Sequence, residues 1–275
     1  MQHARATAAF SVYYGRGRDA YDLRGRTTHE AIFNTVNGSF RGPNSQQGYS
    51  PFSTWTRGLA WAMLGFAEQL EFLETLQDDE LAAVGGRDGV ETMMREAAAA
   101  TCDFYLDRGT ASDGIPYWDT GAPGLAALGD WQARPADPFN DHEPVDSSAA
   151  AIAAQGLLRF GRYLQQRGDT ATSASVAQTF RSAAARYLQA GLAVLRVLCD
   201  TTGPYLSVDP GHEGLLLHSV YHRPNGWDHV PAGSKIPHGE SSQWGDYHLR
   251  EAALYVQRLA EGGRYLTFFG PEVRS

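Results

Sequence analysis

Apolar residues recur at helical spacing in about six segments of this chain, and long polar stretches rich in glycine and proline separate them. The first predicted helix covers roughly 2–14 and starts without a capping residue. The second, from Thr54 to about Leu76, sets Trp55, Leu59, Met63, Phe66 and Leu70 on one face. A third covers about 88–108. The fourth begins after Asp146 with the alanine-rich run SSAAAIAAQGLLRFGRYL. The fifth spans about 172–199, and the sixth runs from about Ser242 to Ala260. No alternation of strands with helices is visible, and GLLLHSVYH, at 214–222, reads as one short strand at most.

The spacing of the helix starts carries a weak repeat. Ser53-Thr54-Trp55, Asp146-Ser147-Ser148 and Glu240-Ser241-Ser242 each open a helix, at nearly equal intervals. Ser, Thr and Asp in those places are N-caps, accepting hydrogen bonds from backbone N–H groups that lack a partner in the first turn. The first two of these helices are followed by a return helix. Three long loops, 15–53, 109–145 and 200–241, precede the three starts. Stacked helical hairpins with their long loops at one end predict an all-α, α/α-toroid fold, here an incomplete toroid of about six helices in a single domain over 1–275. Inner helices of such a toroid aim positive dipole ends at one basin, where an anion is stabilised.

Composition narrows the partners. Hydrophobic residues make up 43% and aromatics 11%, enough for a packed core. A net charge of -8 argues against nucleic acid, which requires a basic face. No apolar run is long enough to span a membrane. Cys102 and Cys199 sit among apolar neighbours and read as reduced thiols. The first residues, MQHARATAAFSVYYGRGR, do not read as a signal peptide because Gln, His and Arg interrupt any apolar stretch.

The segment SQQGYSPFSTWTRGLAW, at 45–61, concentrates candidate chemistry. Arg57 and Trp61, four residues apart, share a helix face one turn from a positive helix end. A guanidinium there can hold a carboxylate bidentately while an indole stacks on a sugar face. Gly58 and Gly65 predict close packing against a neighbouring helix. Three carboxylates have aromatic or capping surroundings: Asp146 reads as an N-cap, Asp246 as a first-turn acid, and Asp119 in PYWDTGAP has no such explanation. Six of the nine histidines fall between His212 and His248, but their irregular spacing, without HExxH or a Cys partner, does not point to a metal. Ser234-Lys235 is a possible contact for a distal acidic group.

QGYSPFSTWTRGLAW resembles the QGY-x-x-x-S-x-W-x-R-G-x-A-W signature of the unsaturated glucuronyl hydrolases, glycoside hydrolase family 88. The resemblance continues through GIPYWDTGAP, DSSAAAIAAQGLL, YHRPNG and WGDYHLREAAL, in the family's order. It implies an (α/α)6 barrel without a cofactor. The implied ligand is an oligosaccharide ending in a 4,5-unsaturated uronic acid, whose double bond an Asp hydrates as general acid and base. By motif, Gln47, Arg57 and Trp61 fall on substrate-binding positions and His29 on a histidine near the reacting ring; Gln46 stands where a His is common. The family's two key aspartates would precede Met1. The resemblance therefore implies the C-terminal part of the barrel only. The alternatives are a non-catalytic carbohydrate-binding remnant, one subunit of a split barrel that self-association or a partner chain completes, and an unsaturated rhamnogalacturonyl hydrolase.

Overall fold

In the computed structural model, which describes residues 1–265 and Thr267, seven stretches of α-helix form two layers. The helices are α1 (Gln2–Phe10), α2 (Thr56–Leu73), α3 (Asp78–Ala82), α4 (Gly86–Phe104), α5 (Ser147–Thr170), α6 (Ala174–Leu198) and α7 (Gln243–Ala260). Helix α5 lies between α2 and α7 in one layer, while α4 and α6 back onto α2 and α5. Contacts fix the direction of the first layer. Arg57 meets Asp146 at the starts of α2 and α5, and Glu71 meets Arg159 further along both. Trp244 bonds Ser148 and His248 approaches Gln155, so α7 runs the same way. Three parallel helices with antiparallel return helices behind them form the predicted α/α-toroid type of fold.

The sequence explains why α5 occupies the middle. Ala149 to Ala154 are all buried, and apart from Ile152 they are alanines, small enough to let helices approach on several sides at once. At Gly156 a Cβ would lie 2.9 Å from the backbone nitrogen of Leu64, so α2 and α5 touch almost backbone to backbone. Larger apolar side chains fill the rest: Leu59, Met63, Leu70, Met94, Ile152 and Phe160 are fully buried. Each such side chain contributes roughly 1.5–3 kcal/mol relative to exposure.

Several boundaries differ from those expected. Helix α1 ends at Phe10, after which Val12 pairs with Thr27 across an isolated bridge. Thr54 is not a cap. Its hydroxyl bonds Thr27, and Trp55 occupies the cap position of α2 without a side-chain cap bond. Asp146 and Ser242 do cap α5 and α7. The end of α4 passes into a π-helical turn at Tyr105–Gly109. An antiparallel hairpin, β1 (Glu30–Phe33) with β2 (Phe40–Asn44), stands where only loop was expected. The expected strand at 214–222 is reduced to one bridge between Leu206 and Leu216. Among the described residues no helix is long and apolar enough to cross a membrane. The last residues of the expected 1–275 domain lie outside those described.

Candidate functional site

The three helix starts converge, and Arg57 is at their junction. Its side chain is 4% exposed, with Nη1 3.1 Å from Asp146 Oδ2 and 3.4 Å from the Ser148 hydroxyl. Nη1 also donates to the Val220 carbonyl, and Nη2 donates to the Tyr221 carbonyl at 2.8 Å. Asp146 in turn uses Oδ1 to accept from the Ser148 and Ala149 amides, so one carboxylate caps α5 and pairs with α2. The guanidinium carbon lies 4.9 Å from the Trp55 ring centre and 5.0 Å from that of Trp244. The predicted cation is therefore in place at the helix starts, but it is buried and already paired. The indoles beside it are Trp55 and Trp244, not Trp61.

A loop folded onto this junction carries Gln47. His29 Nδ1 accepts the backbone N–H groups of Gln46 at 3.0 Å and Gln47 at 3.2 Å. An accepting Nδ1 means that the neutral ring carries its proton on Nε2. Burial pushes the His29 pKa down; Glu30 opposes that shift, while His222 and Arg57 add to it. The ring meets Trp55 edge-on at 4.8 Å, which links Gln47, His29, Trp55 and Arg57 in one chain of contacts. Asp119 anchors the same loop from the other side. Its carboxylate is fully buried, accepting the Tyr49 amide on Oδ2 and the Gly121 amide on Oδ1, each at 2.8 Å. Gly48 permits this approach, since a Cβ there would sit 2.9 Å from Asp119 Oδ2.

Trp61 faces elsewhere. It is 38% exposed, meets His248 edge-on at 5.0 Å, and forms the ridge between two open grooves. One groove, about 560 Å³, runs between α1 and α2 and is lined by His29, Gly58, Trp61, Ala62 and Gly65 among others. The other, about 630 Å³, is bordered by Gln155, Arg159, Tyr247, His248 and Glu251. Arg57 lines neither, so the two residues predicted to share one face are divided between the junction and the grooves. Gly65 opens onto the first groove with nothing within 4 Å of its Cβ position. Gly58 instead accommodates the Trp55 ring.

The other candidates have structural partners. Asp246 accepts the Leu215 and Leu216 amides at 2.8 Å each. Lys235 pairs with Asp141 at 2.9 Å, and Ser234 bonds His238. Among the described residues, no three His, Cys, Asp or Glu side chains are grouped to hold a metal. The surroundings of Arg57 include residues that sequence spacing did not connect with it: Trp244, Asp146 as ion-pair partner, and the aromatic wall of Tyr221 and Trp227, 50% and 58% exposed. A usable signal was present for Trp244, which follows the third repeated helix start by two residues.

Comparison with known proteins gives a consistent picture. No protein-family model matches the chain. It is 28% identical over 265 residues to the unsaturated glucuronyl hydrolase of Bacillus sp. (strain GL1), covering 92% of this chain and 54% of that protein. It is also 28% identical over 237 residues to the unsaturated glucuronyl hydrolase of Formosa agariphila, covering 84% and 43%. The crystal structure of the Bacillus enzyme, described as responsible for the degradation of glycosaminoglycan, superposes with a TM-score of 0.56 over 94% of this chain and 51% of that one. A solved unsaturated glucuronyl hydrolase specific for heparin shares the fold at a TM-score of 0.59 and 21% identity, again over 94% and 51%. The chain thus spans about half the length of the curated relatives it matches. By sequence and by fold it is similar to the unsaturated glucuronyl hydrolases.

Proposed function

We propose that the convergent helix starts form a binding basin for the unsaturated uronic-acid end of an oligosaccharide, and that the chain serves a glycoside hydrolase of this type. The observation that carries the reading is the joining of Gln47, His29, Trp55 and Arg57 in one contact chain at the three converging helix starts. Because Asp146 neutralises Arg57, attraction for an anion rests on the helix dipoles rather than on a free cation. His29 Nε2–H and the Gln47 amide supply hydrogen bonds to the sugar ring, and Trp61, on the groove that His29 also lines, supplies an apolar face outside the Arg57 junction.

The proposed reaction adds a proton to C4 of the vinyl ether, and water attacks C5; the resulting hemiketal opens to a C5 ketone, and the hemiacetal left at C1 collapses to an aldehyde, breaking the C1–O bond and releasing the next sugar as its alcohol. Proton delivery to carbon requires a positioned acid, worth typically 10²–10⁴-fold. Asp119 and Asp246 are occupied by backbone amides and Asp146 by Arg57. We therefore assign the acid to none of these three carboxylates. A second reading, sugar binding without turnover by this chain alone, is favoured by the open groove beside His29 and Trp61. Ultraviolet absorbance of an unsaturated disaccharide tests whether the chain turns over substrate by itself. The chain alone should leave the absorbance nearly unchanged, and rapid loss would place the acid within these residues.

A further inference from the structure

His218 is the one non-glycine residue with a left-handed backbone among those described, at φ 68. Side chains other than those of Gly, Asn and Asp rarely adopt that region, and residues that do so cluster at functional sites. The ring is 3% exposed, and backbone groups engage both of its nitrogens. Nδ1 accepts the Gly239 amide at 3.1 Å, and Nε2 lies 3.1 Å from the Pro204 carbonyl. These bonds require a neutral ring protonated on Nε2. The His218 carbonyl accepts the Ser147 amide at the first turn of α5.

The residues that follow build the Arg57 junction. Ser219 bonds Ser242 at 3.1 Å, and the Val220 and Tyr221 carbonyls are the two that receive the guanidinium. A side chain that ties two loops together holds the chain in a conformation that its backbone alone disfavours. We infer that His218 is a positioning residue: by locking the 204 and 239 loops to the left-handed turn, it sets the Val220 and Tyr221 carbonyls against Arg57 and so shapes the basin. Its effect on ligand rests on the reading of that basin given above; its effect on the segment does not.

The test compares wild-type chain with His218→Gly, which keeps the left-handed turn and removes the lock, and His218→Asn, which tolerates the turn and retains a short polar group. Amide hydrogen exchange at 219–222 should accelerate by about tenfold in the Gly variant, as expected for local opening, with smaller acceleration for Asn and none at Val194 in α6. Affinity for an unsaturated uronide disaccharide should fall in the same order. Unchanged exchange at 219–222 in either folded variant would overturn the inference. So would loss of the whole fold in both, since a residue that positions one segment leaves the α4–α6 packing intact. A wild-type chain that ignores the disaccharide would defeat the reading of the basin, while the exchange measurement would still decide the role of His218.

Discussion

Two buried ion pairs join α2 to α5, with opposite polarity. At the helix starts, Arg57 of α2 pairs with Asp146 at the cap of α5 at 3.1 Å; further along, Glu71 of α2 pairs with Arg159 of α5 at 2.7 Å. Their surroundings differ. Asp146 accepts two cap amides and the Ser148 hydroxyl as well as Arg57, and Arg57 reaches two carbonyls. Glu71 Oε1 has no hydrogen-bond partner among the described residues, and burial pushes the Glu71 pKa up to about 7 even though Arg159 opposes the shift. The first pair is built into a junction of three helices and a long loop. The second joins two helices, with Arg159 also 3.8 Å from Glu68 of α2. Similar chemistry thus organises a candidate site at one end of an interface and, at the other, joins helices beside an open groove that Arg159 borders.

The largest expected effect tests the first pair. Arg57→Ala leaves Asp146 buried without its partner and should cost about 3–5 kcal/mol of unfolding free energy, measured by urea melts. A loss below 1 kcal/mol, on the scale of an exposed pair, would show that the junction is not buried as described. Loss of ligand affinity in this variant must accordingly be read alongside its stability. Between the two pairs the helices approach closely at Gly156, so Gly156→Ala forces them apart at a cost of about 1–3 kcal/mol. A variant as stable as wild type would refute that close approach.

Glu71→Gln should change stability least, by less than about 1.5 kcal/mol, because the amide oxygen can still accept from Arg159. The pH dependence sharpens this expectation. A carboxyl whose pKa is raised from 4.5 to about 7 on folding binds more protons in the folded state between those values. Its contribution to stability therefore grows as pH falls from 7 to 4.5 and is lost as pH rises. Relative to wild type, Glu71→Gln should be more favourable at pH 8 than at pH 5. The reverse order in paired urea melts would mean that Arg159 keeps Glu71 ionised throughout.

Much of the helical frame was legible because apolar spacing reports directly on packing faces: Leu59, Met63, Phe66 and Leu70 are all buried as their periodicity predicts. The caps at Asp146 and Ser242 were legible for the same local reason, as they bond to amides two or three residues away. The hairpin was not, since its short strands include Gly42 and Pro43, which weaken any strand pattern. The pairing of Arg57 was also hidden. Its carbonyl partners come from Val220 and Tyr221, and no local pattern connects residues so far apart in the chain. Asp119 likewise lacked an explanation until the structure brought Tyr49 and Gly121 onto it.

The most direct test of the proposed basin is calorimetric titration of the wild-type chain with an unsaturated uronide disaccharide and with its neutral-sugar analogue. Binding of the uronide at least tenfold tighter is expected, since a charge-assisted hydrogen bond is worth about 1.5–3 kcal/mol. Equal affinity for the two, or no detectable binding of either, would contradict the account.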